Sequence, residues 1–201
     1  MIIKGINILI AGGGTGGHLF PAFAIGKRLE KEGANVFYIG SMHGIEKNYK
    51  EELKDKLYLL NIKGINRNIS LKSLLNNLMF PFRFVISYIK SIIIIRKIKP
   101  KIIIGTGGYS SGLPLLVGIL FNIKSIIHEQ NSYPGITTRF LSKKVNQVFI
   151  SYNNIKDNIV GSNYLFTGNP VRDNLIKISK NDACNQMKIN PAKKNYIYIR
   201  W

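Results

Sequence analysis

The chain has 201 residues, room for one large domain or two small ones, and its 45% apolar and 19% charged content excludes a disordered polymer and allows a buried core. Lys and Arg number 29 against 10 Asp and Glu, a formal charge of +19 with a pI near 10.1, which calls for an anionic partner: nucleic acid, a membrane surface or a phosphorylated substrate. The single cysteine, Cys184, excludes an internal disulfide framework and a cysteine-based zinc site.

The apolar run over 6–11 follows Lys4 and is followed at once by glycines with no cleavage pattern, so it predicts a strand and not a signal peptide. Further short β-branched runs predict strands over 35–40, 57–62, 101–105, 125–128, 147–150 and 164–166. Amphipathic segments fill the gaps. The first predicts a helix over 18–32 stopped at Gly33, and a longer one covers 71–99, broken at Pro81 and stopped by Pro100. Charged residues interrupt the apolar stretch 78–98, and glycines and Pro114 interrupt 102–123, so neither reads as a membrane span. This alternation predicts an α/β, Rossmann-like, doubly wound parallel sheet. Residues 1–190 read as one domain, and 191–201 as a connector and the first strand of another.

Ile, Asn and Lys make up 77 of the residues, so part of the basic excess is what an AT-rich genome would produce. Position is more telling than the sum. From Lys56 to His128 there are eleven Lys and Arg and no Asp or Glu. Within that stretch, 71–96 interleaves leucines, Met79 and three phenylalanines with Lys72, Arg83 and Lys90, a pattern that suits either a core-facing helix or a face lying on an anionic bilayer.

In open parallel sheets, ligands bind beyond the carboxyl ends of the strands. The segment Gly12-Gly-Gly-Thr-Gly-Gly-His18 stands there, its glycines letting the main chain approach an anion while the helix N-terminus stabilises phosphate charge. An NAD site would also want an acid at the end of the second strand, where this chain has Tyr38-Ile-Gly-Ser41. His18 is placed to donate to a phosphate or to take a proton from a hydroxyl. A second glycine loop, Gly105-Thr-Gly-Gly-Tyr-Ser-Ser-Gly112, contains the G-x-S-x-G spacing of a hydrolase nucleophile, Ser110. Its downstream His128 precedes Glu129, which reverses the order a hydrolase triad needs. His128-Glu-Gln-Asn131 adds four polar residues at another strand end, and Gly168-Asn-Pro-Val-Arg172 places a cation at a turn. The histidine spacing and the scarcity of acids offer no metal motif.

Together these four motifs, in this order, resemble the MurG family of N-acetylglucosaminyltransferases, which convert undecaprenyl-pyrophosphoryl-muramoyl-pentapeptide (lipid I) to lipid II in peptidoglycan synthesis, a pathway of cell shape and division. The resemblance implies the N-terminal, acceptor-binding half of a GT-B glycosyltransferase without a cofactor, peripheral on the cytoplasmic face of the membrane. It implies that Thr15, Gly16, Gly17, Asn131 and Arg172 reach UDP-N-acetylglucosamine and that His18 is the base. It makes Gly13, Gly14, Tyr109, Ser110, His128, Glu129 and Gln130 acceptor or supporting groups. Thr138 stands where the family usually has Asn, and Ser111-Gly-Leu-Pro114 carries one extra residue. The family's donor domain would follow Trp201, so this segment alone is expected to transfer sugar poorly. The alternatives are a hydrolase-like enzyme using Ser110 and a basic module that binds nucleic acid or membrane without catalysis.

Overall fold

A computed structural model describes residues 3–64, 77–159, 163–171 and 179–190. Seven strands form one parallel sheet: β1 (Asn7–Ala11), β2 (Asn35–Ser41), β3 (Leu57–Leu60), β4 (Ile102–Gly105), β5 (Lys124–Glu129), β6 (Gln147–Ile150) and β7 (Tyr164–Phe166). Their order is β3-β2-β1-β4-β5-β6-β7. All seven match the strands expected from the sequence, β6 and β7 at both ends and the others within two residues. The helices are α1 (Gly16–Lys31), α2 (Lys50–Leu53), α3 (Phe80–Ile98), α4 (Tyr109–Leu120), α5 (Ile136–Leu141) and α6 (Lys180–Gln186).

Alternate residues of the central strands feed two cores, one on each face of the sheet. Ile8 and Ile10 of β1 with Ile102 and Ile104 of β4 bury against Leu19, Ala22 and Phe23 of α1. Leu9, Ala11 and Ile103 face the other way, onto Ile94, Ile95 and Ile98 of α3 and Leu115 and Val117 of α4. Burial on both faces is why these strands are continuous apolar runs without polar alternation.

The strand order reverses at β1. β2 and β3 lie to one side of it and β4 pairs on the other, with Ala11 opposite Gly105. The loops that leave β1 and β4 therefore start side by side, at the switch point where such sheets bind ligands.

The first helix starts two residues earlier than its sequence pattern indicates, so Gly16 and Gly17 form its first turn. It ends as expected: Gly33 takes φ +90, its N–H donates to the Glu30 carbonyl, and the Ala34 N–H donates to Leu29. The second helical region is interrupted beside Pro81, as expected: Asn77 and Leu78 are helical, Met79 is a turn residue, and a new helix starts at Phe80, just ahead of the proline. Pro81 occupies the first turn of α3, where a missing N–H costs nothing, and Lys99 in the left-handed conformation closes the other end ahead of Pro100. The part of the expected helix over 71–76 lies outside the described residues, as do the connector and strand expected over 191–201.

Helix α3 buries Ile94, Ile95 and Ile98 but also exposes large apolar side chains along its length. Ser87 and Ser91 are buried, while Phe82 is 65% exposed, Ile86 57% and Ile93 61%, with Val85 and Ile89 exposed beside them. The exposed side thus carries a run of large apolar side chains together with the exposed Lys90, Arg96 and Lys97. Among the described residues no helix is long and apolar enough to cross a membrane.

Candidate functional site

The two glycine loops touch. A Cβ on Gly108 would lie 2.5 Å from the Gly13 carbonyl oxygen, and one on Gly107 would lie 2.6 Å from His18 Nδ1, so both positions need glycine for space as well as for their φ values of +78 and +96. His18, on α1, is thereby held against the β4 loop. Its Nδ1 lies 3.0 Å from the Thr106 carbonyl oxygen, which can only accept, so Nδ1 carries the proton and Nε2 the lone pair. The Gln130 Nε2 donates to the same carbonyl at 2.7 Å and to the His128 carbonyl at 3.2 Å, tying the β5 loop into the arrangement.

His18 divides two clefts. One, of about 210 Å³, is lined by Gly13, Gly14, Thr15, Tyr109, Ser110, His43 and Lys63. The other, of about 170 Å³, is lined by Gly107, Gly108, Tyr109, Glu129, Asn131 and Thr137. A third, of about 500 Å³, lies beside Gly16, Gly17, Gln130, Asn131, Tyr152 and Asn169, at the start of α1. In the first turn of α1 the His18 amide donates to the Thr15 carbonyl at 3.2 Å, but the Gly16 and Gly17 amides have no backbone acceptor among the described residues and no side chain caps them at Thr15, so they offer hydrogen bonds and positive potential to an anion there. Tyr109 also borders an apolar groove between α3, α4 and α5, lined by Phe80, Phe84, Leu113, Leu116, Ile136 and Phe140. Polar clefts and apolar groove thus meet at one side chain.

The glutamates are structural in their contacts. Both oxygens of Glu129 are taken by its own loop: Oε1 accepts from the Asn131 N–H and Nδ2, and Oε2 from the Gly135 N–H and the Thr138 hydroxyl. Thr138, the departure from the family's usual Asn, thus still supplies a donor. Glu46 does the same for the first glycine loop, accepting from the Gly14 N–H at 2.8 Å and the Ser41 N–H at 2.5 Å. Glu46 and the Thr106 carbonyl are the site groups that sequence reasoning missed. The only outward sign of Glu46 is an acid two residues after Gly44, and a backbone carbonyl leaves no sign at all.

His128 is 4% exposed and lies behind the clefts, its Nε2–H donating to the Gly168 carbonyl at 3.1 Å. Burial lowers its pKa below the ordinary histidine value, partly opposed by that hydrogen bond and by the Glu129 charge. It tethers the turn after β7, which Ser151 also holds through a 2.7 Å hydrogen bond to Asn169 Oδ1. Ser110 is 2% exposed in the first turn of α4, and its hydroxyl has no hydrogen-bond partner among the described residues. No histidine hydrogen-bonds to it, so the nucleophile–base contact that the hydrolase alternative requires is not made. Of the sequence-derived site residues, Thr15, Gly16, Gly17, Gly13, Gly14, His18, Tyr109, Ser110, Glu129, Gln130 and Asn131 converge on these clefts. Arg172 lies outside the described residues. Among the described residues no group of three His, Cys, Asp or Glu side chains could hold a metal ion.

Residues 8–150 match the glycosyltransferase family 28 N-terminal domain. The chain is 37% identical over 197 residues to the UDP-N-acetylglucosamine–N-acetylmuramyl-(pentapeptide) pyrophosphoryl-undecaprenol N-acetylglucosamine transferase of Flavobacterium psychrophilum, covering 96% of this chain and 53% of that one. Against the Bacillus subtilis protein of the same name it is 35% identical over 194 residues, 96% of this chain and 52% of that one. The chain spans about half the length of the curated relatives it matches. In structure it is similar to the crystal structure of Acinetobacter baumannii MurG, with a TM-score of 0.66 and 26% identity over 86% of this chain and 47% of that one.

Proposed function

The chain belongs to the glycosyltransferase family 28 N-terminal domain family, and from that membership we propose that it is the acceptor half of an inverting N-acetylglucosaminyltransferase of peptidoglycan synthesis. Its acceptor is a polyprenyl-pyrophosphoryl muramoyl-pentapeptide and its donor is UDP-N-acetylglucosamine. The observation that carries this reading is the junction at Tyr109. A substrate with a charged diphosphate–sugar head and a long hydrocarbon tail needs a polar cleft and an apolar groove that run into one another.

His18 Nε2 takes the proton from the muramoyl 4-hydroxyl as that oxygen attacks the anomeric carbon of the donor sugar. The bond from that carbon to the diphosphate oxygen breaks, and UDP leaves with the electron pair. The Thr106 carbonyl holds the imidazole in the tautomer this requires and stabilises the imidazolium that forms. The N–H groups at the start of α1 offset phosphate charge, with Gly16, Gly17 and Asn131 on the donor side of the cleft. The exposed apolar face of α3, with Arg83 and Lys90 on the same helix, rests on the anionic cytoplasmic face of the membrane and brings the groove to the tail.

The test is acceptor binding by this chain. A soluble analogue carrying muramoyl-pyrophosphate should bind, and the same muramoyl peptide without its pyrophosphate should bind at least tenfold more weakly. Equal affinity for the two would overturn the assignment.

A further inference from the structure

The acid that sequence reasoning seeks at the end of β2, to hold a ribose, is absent there. An acid stands five residues beyond the strand, in the 3-10 turn Ile45–Tyr49, and it points inward. Glu46 is fully buried, and no cation pairs with it among the described residues. Three glycines make room for it. A Cβ on Gly40 would come within 2.6 Å of Glu46 Cγ, and Cβ atoms on Gly13 and Gly44 would collide with the carboxylate itself. Gly40 and Gly44 have ordinary backbone angles, so space alone requires glycine at these two positions.

The carboxylate bridges two loops. Oε1 holds the Ser41 N–H at the end of β2, and Oε2 holds the Gly14 N–H inside the first glycine loop. Gly13 and Gly14 take φ +147 and +88, conformations that a flexible glycine segment would leave readily if nothing fixed them. We propose that Glu46 is the positioning residue of the anion site: it clamps the glycine loop from behind and withdraws the Gly14 amide from the ligand. A bound diphosphate then takes its hydrogen bonds from the start of α1. This rests on the reading above, in which amides at the start of α1 offset phosphate charge, and adds to it which buried group sets the loop.

The test uses the chain with inorganic pyrophosphate as the probe, followed through the amide resonances of Gly14, Gly16 and Gly17. Glu46→Gln keeps the shape but sets an NH2 donor against one of the two N–H donors. It should lose the carboxylate-bonded position of the Gly14 amide resonance and bind pyrophosphate about tenfold more weakly, the worth of one charge-assisted hydrogen bond. Gly44→Ala pushes on Oε2 without touching the loop and should give the same two changes, which keeps the comparison available if Glu46→Gln folds poorly. A purely structural role would lower the unfolding temperature and leave pyrophosphate affinity in the folded variants at the wild-type value, and that result overturns the proposal. Failure of the wild-type chain to bind pyrophosphate overturns the anion site itself and the proposal with it, so the two failures are told apart by which protein fails.

Discussion

His18 and Thr106 are 88 residues apart in the chain and bonded to each other twice: His18 Nδ1–H donates to the Thr106 carbonyl, and the Thr106 hydroxyl donates to the His18 carbonyl at 2.9 Å. One bond fixes the imidazole and the other fixes the backbone that carries it. A Cβ on Gly12 would collide with that hydroxyl, so the first glycine of the motif is there to admit Thr106. The β1 and β4 loops act as one unit, with the lone pair of His18 Nε2 as its free chemical group.

His18→Ala should therefore act on turnover. In a chimera joining this segment to the C-terminal half of a full-length relative, loss of a general base should lower kcat by roughly 10²- to 10⁴-fold with little change in acceptor KM. Steady-state transfer from UDP-N-acetylglucosamine to an acceptor analogue measures it. Unaltered kcat would assign the proton to another group.

His128 should make stability depend on pH. Its folded pKa lies below the ordinary value of about 6.5, so on acidification the unfolded chain takes up a proton before the folded one. Its contribution is complete above about pH 6.5 and is lost as pH falls from there toward the folded pKa, with a slope no steeper than about 1.4 kcal/mol per pH unit. Urea denaturation of the wild type and of His128→Gln between pH 8 and pH 5 should show the wild type losing more stability across that window. Parallel curves would count against a depressed pKa.

The sheet, its strands and the position of both glycine loops were legible in the sequence because they depend on local pattern: continuous apolar runs such as Ile102-Ile-Ile104, then glycine, then a helix. What was not legible depends on which residue faces which across the fold. Glu129 reads as a polar ligand group at a strand end, yet its own loop occupies both oxygens. Glu46 reads as one more charge in a charged stretch, and only the convergence of Gly13, Gly40 and Gly44 around it reveals a buried clamp. Composition could not orient α3 either, since a helix with apolar residues on most of its circumference has no unique inside. Ser87 and Ser91 are buried in a helix that packs against α4, and Ser91 satisfies its hydroxyl on the Ser87 carbonyl at 2.7 Å.

That orientation predicts separable effects on membrane binding and on stability. Phe82→Ser with Ile86→Ser should reduce partitioning onto anionic vesicles by roughly tenfold or more, since fully burying each side chain is worth about 1.5–3 kcal/mol, while thermal unfolding changes little. Arg83→Gln should weaken binding to anionic vesicles by up to about 1 kcal/mol and leave zwitterionic vesicles unaffected. Co-sedimentation with vesicles of both kinds reads both variants against the wild type. A large fall in unfolding temperature for the double serine variant would mean that this face is packed against protein.

Gly26 offers a test of the other face of the sheet. A glycine in the middle of α1 ordinarily makes Gly→Ala stabilising by about 1 kcal/mol. Here the added Cβ would run into the Tyr38 hydroxyl and lie 2.8 Å from the ring carbon that bears it. Tyr38 cannot easily move, because it is buried and its ring is held edge-on against Phe23 at 5.3 Å between centroids. Gly26→Ala should therefore destabilise the chain by roughly 1–3 kcal/mol, the cost of overpacking a filled core, and reverse the sign that helix propensity alone predicts. Tyr38→Phe removes the nearest atom and should recover part of that loss when combined with Gly26→Ala, so that the two changes are non-additive in a double-mutant cycle. Equilibrium urea unfolding of the four proteins measures the coupling. A stabilised Gly26→Ala variant would mean that α1 stands farther from β2 than this packing requires.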